Sequence, residues 1–457
     1  MTIGRKGGIM VAPAEVEVIH RFVRPGDTVV DVGANVGAWT REVLAVQPDC
    51  RVFALEPLAA TDSALAEQLA GLGPRVRVFP IGLGNAVGTQ SFTHYSTHSS
   101  FSGFHRRTHP IFDDIPEPRL IDIDVTTLDR FCDTQGVRHV NFLKIDVEGA
   151  ELDVLLGARR LLRHGRADII QFEYGGTYTD AGTRLESVFS LLTAEDYRLF
   201  KLGQPFDQPL TWSPALEDFT YANFLAIHGR LIDFLFAHPP RMLDLATLLP
   251  AHGIRPRGVV HVGAHEGREA NAYRAMGASP ILFVEANPEL AGTLTRRFAG
   301  ADDVFVAACA AGEAPGRAVL HLTSSDQSSS LLPLGLHSRI YPSITEVGQV
   351  EVTVRPLDEI VARSGRAFAD FNLLNMDIQG AELLALRGAS QLLQHIEAIN
   401  LEVNFAELYQ GCAQIEDIEA HLTAAGFRRI AVTCPYHPSW GDALYVRIAA
   451  PAGAPKR

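Results

Sequence analysis

The sequence predicts an α/β protein of two tandem domains, each a mainly parallel sheet with helices on both faces. Three observations carry that prediction. The first is a long repeat. Val29-Val-Asp-Val-Gly-Ala-Asn-Val-Gly37 aligns with Val259-Val-His-Val-Gly-Ala-His-Glu-Gly267, and Lys144-Ile-Asp-Val-Glu-Gly-Ala-Glu-Leu152 with Asn375-Met-Asp-Ile-Gln-Gly-Ala-Glu-Leu383. Phe172-Glu173 aligns with Leu401-Glu402, so three ordered anchors share offsets of 229 to 231 residues. Between Lys144–Ala158 and Asn375–Ala389, 8 of 15 positions are identical. A period this long duplicates a whole domain rather than a solenoid unit. The second observation is the alternation of short β-branched runs with amphipathic stretches, which implies parallel strands joined by helical crossovers. The third is a glycine turn that follows a strand and precedes a helix in each copy.

In the first copy Thr28–Val32, Arg51–Leu55, Val76–Pro80, Phe142–Ile145 and Ile169–Phe172 read as strands. Trp39–Val46, Ala59–Ala70 and Ala150–Leu162 read as helices, with apolar residues three and four apart. Tyr221–Ile227 supplies a late strand that suits antiparallel addition at the sheet edge. The expected division is a first domain over residues 1–229, a linker over 230–240 and a second domain over 241–457. Pro239-Pro240 cannot continue a helix, and Arg241–Leu249 reads as a helix leading into the second copy.

Composition narrows the function. The chain has 47% hydrophobic and 20% charged residues, ordinary for globular domains with sizeable cores. No apolar run reaches the roughly 18 residues needed to span a bilayer, and no signal-peptide pattern opens the chain. Five scattered cysteines without a Cys-x-x-Cys pair suggest neither disulfides nor a zinc ribbon, so the chain reads as cytoplasmic. Forty basic against fifty-three acidic residues give a net charge of −13, which disfavours a nucleic-acid partner. No Lys/Arg cluster goes beyond pairs such as Arg106-Arg107 and Arg428-Arg429.

The chemistry should lie where the strands end, because open α/β sheets bind ligands there. Asp31-Val-Gly33-Ala-Asn-Val-Gly37 allows a tight turn into a helix amino terminus. A dinucleotide fingerprint would need glycines at 31, 33 and 36; Asp31 and Val36 break that spacing. Glu56 ends the next strand, where a carboxylate can accept both hydroxyls of a ribose, and Glu285 is its counterpart. Asp146 follows the strand Phe142–Ile145. Asp31, Glu56, Asp146 and Glu173 should therefore converge on one crevice.

Together, Asp31-Val-Gly-Ala-Asn-Val-Gly, Leu55-Glu-Pro, Thr126-Thr-Leu-Asp and Lys144-Ile-Asp-Val-Glu-Gly-Ala-Glu resemble the FkbM family of methyltransferases. The second copy resembles the same family in variant form, through His261-Val-Gly-Ala-His-Glu-Gly, Val284-Glu-Ala-Asn-Pro288, Ser328-Ser-Ser330, Asp377-Ile-Gln-Gly-Ala-Glu382 and Trp440-Gly-Asp-Ala-Leu-Tyr445. The resemblance implies a Rossmann-like class I methyltransferase fold in each copy, with S-adenosylmethionine as donor. It implies a hydroxyl of a small molecule, sugar or glycan as acceptor. Gly33, Ala34 and Gly37 would hold the donor's methionine part and Glu56 its ribose, with Asp31 and Asn35 completing the cradle. Gly263, Ala264, His265, Gly267 and Glu285 stand at the matching places in the second copy.

A sulfonium donor brings its own activated methyl group, so the protein mainly aligns an acceptor oxygen and provides a base. Asp146 and Glu148 are the candidates in the first copy and Asp377 in the second, with His98 or His109 as loop alternatives. The stretches His94–Ser102 and Ser324–Ser330 lie where an acceptor flap would be. Metal ligation by Asp146 and Glu148 is conceivable, but no flanking His/Asp spacing supports it and no metal is expected. Glu151 sits where an acidic side chain favours a helix amino terminus, which suits a structural role. His261 replaces Asp31, His265 replaces Asn35 and Gln379 replaces Glu148, so the second copy is the weaker candidate for catalysis. The competing reading is a tandem binding or scaffold protein with one or both copies inactive.

Overall fold

The computed structural model describes residues 2–3, 9–60, 65, 69, 71, 73–96, 98–108, 116–206, 208–236 and 242–448. The chain packs as two units, residues 1–232 and 233–457. A short helix, Ile232–Phe236, begins at the end of the first unit, and residues 237–240 of the expected linker fall outside the described residues. Among the described residues no helix is long and apolar enough to cross a membrane, and all five cysteines are free and buried.

Each unit is built on a seven-stranded sheet. In the first the order is Tyr197–Lys201, Ala222–His228, Ala167–Tyr174, Val140–Ile145, Thr28–Val32, Arg51–Leu55 and Val76–Phe79. Numbered by their appearance along the chain, these strands lie in the order 6-7-5-4-1-2-3. All run parallel except the seventh, which is antiparallel to both its neighbours. The second unit repeats the arrangement strand for strand, ending in the long hairpin Phe427–His437 and Trp440–Arg447. The central strands are buried on both faces, as a parallel sheet sandwiched by helices demands; every residue of Thr28–Val32 and Ala167–Tyr174 is buried. The late strand is thus antiparallel as expected, but it is inserted inside the sheet rather than added at its edge. The edge strand is Tyr197–Lys201.

Two predicted helices differ from expectation. Arg241–Leu249 shortens to Leu245–Ala251, which Asp244 caps by accepting from the Thr247 amide. Ala150–Leu162 is broken into Glu151–Leu156 and Arg159–Arg163. The break has a tertiary cause at Gly157, where a Cβ would lie 2.1 Å from the Gly84 carbonyl oxygen. The Asp129 amide donates to the Gly157 carbonyl (3.0 Å), and the Asp129 carboxylate caps the second half-helix through the Arg160 and Leu161 amides. The second unit does the same with Gly388, Gly312 and Asp358. That is the task of the Thr126-Thr-Leu-Asp motif. Most of the expected helix Ala59–Ala70 lies outside the described residues, apart from the short turn Pro57–Ala60 and single positions such as Leu65 and Leu69.

A small three-stranded sheet in each unit carries no clear sequence signal. Gly82–Leu83, Gly88–His94 and Arg119–Thr126 form it in the first, around Leu58, Phe92, Ile123 and Val125. Only two of the seven residues of Gly88–His94 are buried, so the run has no apolar alternation to read.

Gly157 has an ordinary helical φ of −77°, so Gly157→Ala would act through collision alone. Calorimetry should show the first domain destabilised by about 1–3 kcal/mol, as expected for overpacking. Gly388→Ala should lower the second domain's transition likewise.

Candidate active site

The site forms where the loops after the first and fourth strands touch. Gly33 has φ +79°, and a Cβ on it would sit 1.9 Å from the Asp146 carbonyl oxygen; Gly263 faces Asp377 in the same way at 1.8 Å. The glycine is needed because one loop lies directly on the other. Asn35 (φ +47°) and Glu148 (φ +57°) hold left-handed backbones beside it, as do His265 and Gln379 in the second unit. Such conformations cost energy in non-glycine residues and concentrate at functional sites.

In the first unit these loops border a cavity of about 660 Å³ lined by Gly33, Asn35, Glu56, Asp146, Glu148 and Glu173. Glu56 is held by two backbone amides, from Asn35 (3.0 Å) and Leu58 (3.1 Å). Glu285 repeats this with the His265 and Asn287 amides, both at 2.8 Å. The carboxylate is thereby fixed at the cavity wall, placed to accept from a ligand's vicinal hydroxyls. Phe101 reaches the cavity from the expected flap segment, and Phe104 and Arg107 reach it from just beyond that segment. His98 stacks on Phe101 without lining the cavity, and His109 lies outside the described residues.

Three predicted cradle residues stand back from the cavity. Ala34 is buried in a small core with Ala54, Leu65 and Leu69. Gly37 has φ +78° and is backed by Leu65 and Leu69, which leave no room for a Cβ. Asp31 is fully buried; it accepts from Thr40 Oγ1 (2.7 Å) and lies 3.6 Å from Lys144 Nζ. Lys144 also donates to Asp146 (3.1 Å). Burial works against the Lys144 charge, but Asp146 and Asp31 outweigh it and hold its pKa above the usual value. Asp31 and Lys144 are direct partners in the parallel register.

The corresponding partners in the second unit are His261 and Asn375. They form a neutral chain: Tyr273 Oη meets His261 Nδ1 (3.2 Å), Asn375 donates to Tyr273 Oη (2.9 Å), and Asn400 donates to Asn375 (2.7 Å). Burial lowers the His261 pKa to about 4, so the imidazole is neutral. Both members of the buried ion pair were exchanged together. The replacement of Asp31 by His261 is visible in the sequence, but its link to the replacement of Lys144 by Asn375 depends on the strand register.

Glu148 pairs with Arg107, whose side chain is almost wholly buried. Burial raises the Glu148 pKa to about 7 against the pull of Arg107. Glu173 is pushed well above the carboxylate range by burial and then by Asp146 and Glu148. Glu151 accepts from the Val147 and Gly149 amides and so holds the loop itself, as Glu382 does with Ile378 and Gly380. Arg107 escaped the sequence analysis because it stands alone in a loop, with only its neighbour Arg106 as signal.

The second unit divides its space. Glu285 lines a cavity of about 70 Å³, while a larger one of about 770 Å³ is bordered by His261, Asp377, Gln379, Glu402 and Asp442. Gly263 and His265 border both. Ala264 is buried, and Gly267 packs on Leu294 and Phe298. The Gln379 amide donates to Asp377 (2.6 Å) and Glu402 (3.0 Å), and its oxygen accepts from Tyr409 (2.6 Å).

The family model described as Methyltransferase FkbM domain matches residues 31–199 and again 261–429. AMB antimetabolite synthetase AmbE of Pseudomonas aeruginosa is 33% identical over 30% of this chain and 8% of its own length. 2-O-methyltransferase NoeI of Sinorhizobium fredii is 23% identical over 33% of this chain and 65% of its own. The 31-O-demethyl-FK506 methyltransferase FkbM of Streptomyces tacrolimicus is 27% identical over 30% and 60%. The chain thus spans less than two thirds of the length of each of these three. Among solved structures, magnesium protoporphyrin IX methyltransferase from Synechocystis PCC 6803 is 12% identical at a TM-score of 0.26, covering 45% of this chain and 76% of that one.

Removing one partner of a buried ion pair typically costs about 3–5 kcal/mol. Lys144→Asn should therefore destabilise the first domain severely, whereas Asp31→His combined with Lys144→Asn, the second domain's own pair, should recover part of the loss. Urea unfolding of the four-member cycle measures the coupling; strictly additive effects would refute it.

Proposed function

The chain belongs to the FkbM methyltransferase domain family in both its halves, and from that premise we propose that it transfers a methyl group from S-adenosylmethionine to a hydroxyl of a small molecule, sugar or glycan. The observation that carries this reading is the fixed Glu56 carboxylate beside the Gly33 turn, on a cavity that continues to Asp146, Glu148 and Glu173. Glu56 would take the donor's ribose hydroxyls, and the backbone around Gly33 and Asn35 its methionine part. Once bound, that donor supplies a methyl carbon already activated by positive sulfur. The chain's own residues do the rest. Phe101 and Phe104 line the cavity and narrow water's access, and the carboxylates receive the acceptor and its proton.

The first domain is the catalytic one in this reading. The second keeps the Glu285 cradle, but a neutral Gln379, which donates to both Asp377 and Glu402, stands where the first domain has the Glu148 carboxylate. This supports a binding role for the second domain.

Charge-assisted hydrogen bonds contribute about 1.5–3 kcal/mol, so Glu56→Ala should weaken donor affinity at least about tenfold by isothermal titration. Incubating the full chain with methyl-labelled donor and a fractionated cell extract should place label in small-molecule or glycan fractions. The Glu56→Ala chain should transfer none, while Glu285→Ala should leave transfer intact. Transfer lost on Glu285→Ala and kept on Glu56→Ala would reverse the assignment of domains.

A further inference from the structure

We propose that the first domain binds a divalent metal ion between Asp146, Glu148 and Glu173, at the ends of its fourth and fifth strands. One carboxylate oxygen from each of these residues lies within 4.8 Å of the others, and all three line the cavity. Lys144 donates to Oδ2 of Asp146, and Arg107 donates to Oε2 of Glu148. Glu173 is nine-tenths buried, and its carboxylate has no hydrogen bond or ion pair among the described residues. A buried carboxylate in that state is costly unless a cation meets it.

The internal repeat points to what is missing. At the equivalent place in the second domain the Gln379 amide stands between Asp377 and Glu402 and donates to both. Tyr409, which holds the Gln379 oxygen, corresponds by the repeat offset to Tyr178. The Tyr178 hydroxyl is fully buried and has no partner among the described residues. It lies in the electrostatic reach of Glu173 and Glu151. The second domain therefore carries its own donor where the first leaves both a carboxylate and a hydroxyl unsatisfied. A cation bound between the three carboxylates would meet the need of Glu173. Three hard oxygen ligands facing a cavity select the Mg²⁺ or Mn²⁺ class over softer metals, with positions left for water or an acceptor oxygen. An acceptor hydroxyl on that ion would be polarised and positioned, which favours polyoxygenated acceptors.

This deepens the methyl-transfer reading but is tested apart from it. Mn²⁺ alone, added to the full chain without donor or acceptor, should bind at one site, followed by electron paramagnetic resonance and calorimetry. Glu173→Gln should weaken that binding at least about tenfold, the loss of one charged ligand. Glu148→Gln, which places the second domain's residue in the first, should do the same and guards against misfolding of a buried variant. Glu402→Gln should leave the affinity unchanged. Absence of Mn²⁺ binding at millimolar concentration, or binding indifferent to both Glu173→Gln and Glu148→Gln, would overturn the proposal. Donor binding measured on the same samples shows whether the methyl-transfer reading stands independently.

Discussion

The site depends on the contact between Gly33 and the Asp146 carbonyl, repeated between Gly263 and Asp377. Two loops from neighbouring parallel strands can lie in contact only if one of them lacks a side chain at the crossing point. That approach brings the first loop, with its Glu56-bound Asn35 amide, against the second, with Asp146 and Glu148. A side chain at Gly33 would part the loops and separate the donor cradle from the carboxylates. The glycine of this motif is thus required by protein–protein packing, beyond any approach of a ligand to the backbone.

Beneath that contact the two domains balance charge differently. The first carries Asp31 and Lys144 side by side in the sheet, and Lys144 extends the network to Asp146 at the cavity. The second has a neutral chain of His261, Tyr273, Asn375 and Asn400 at the same depth. Either solution satisfies the rule that buried polar groups be paired; half of one with half of the other does not. Paired exchange across two strands explains how the second copy diverged without losing its fold.

The copies also treat their cavity carboxylates differently. Glu148 becomes Gln379, while Asn223 of the late strand, opposite Glu173, becomes Asp442, opposite Glu402. Negative charge was moved across the sheet as well as removed. Burial, followed by Asp377, raises the Asp442 pKa to about 7. The second domain's larger cavity therefore keeps an acidic wall even though its Gln379 is fully engaged. The two halves present different chemistry from one framework.

The duplication, the alternation of strands and helices, and the meeting of Glu56, Asp146 and Glu173 at one crevice were legible in the residues alone. These follow from local periodicity and from the rule that parallel sheets bind ligands at strand ends. The folded chain was needed to see that Ala34 and Gly37 pack into the core, that Asp31 stands back from the crevice to pair with Lys144, and that Arg107 joins the site. The helix break at Gly157, the inserted seventh strand and the small sheet also needed the fold. Each depends on atoms far apart in the chain meeting at van der Waals or hydrogen-bond distance. Local pattern carries no record of such meetings.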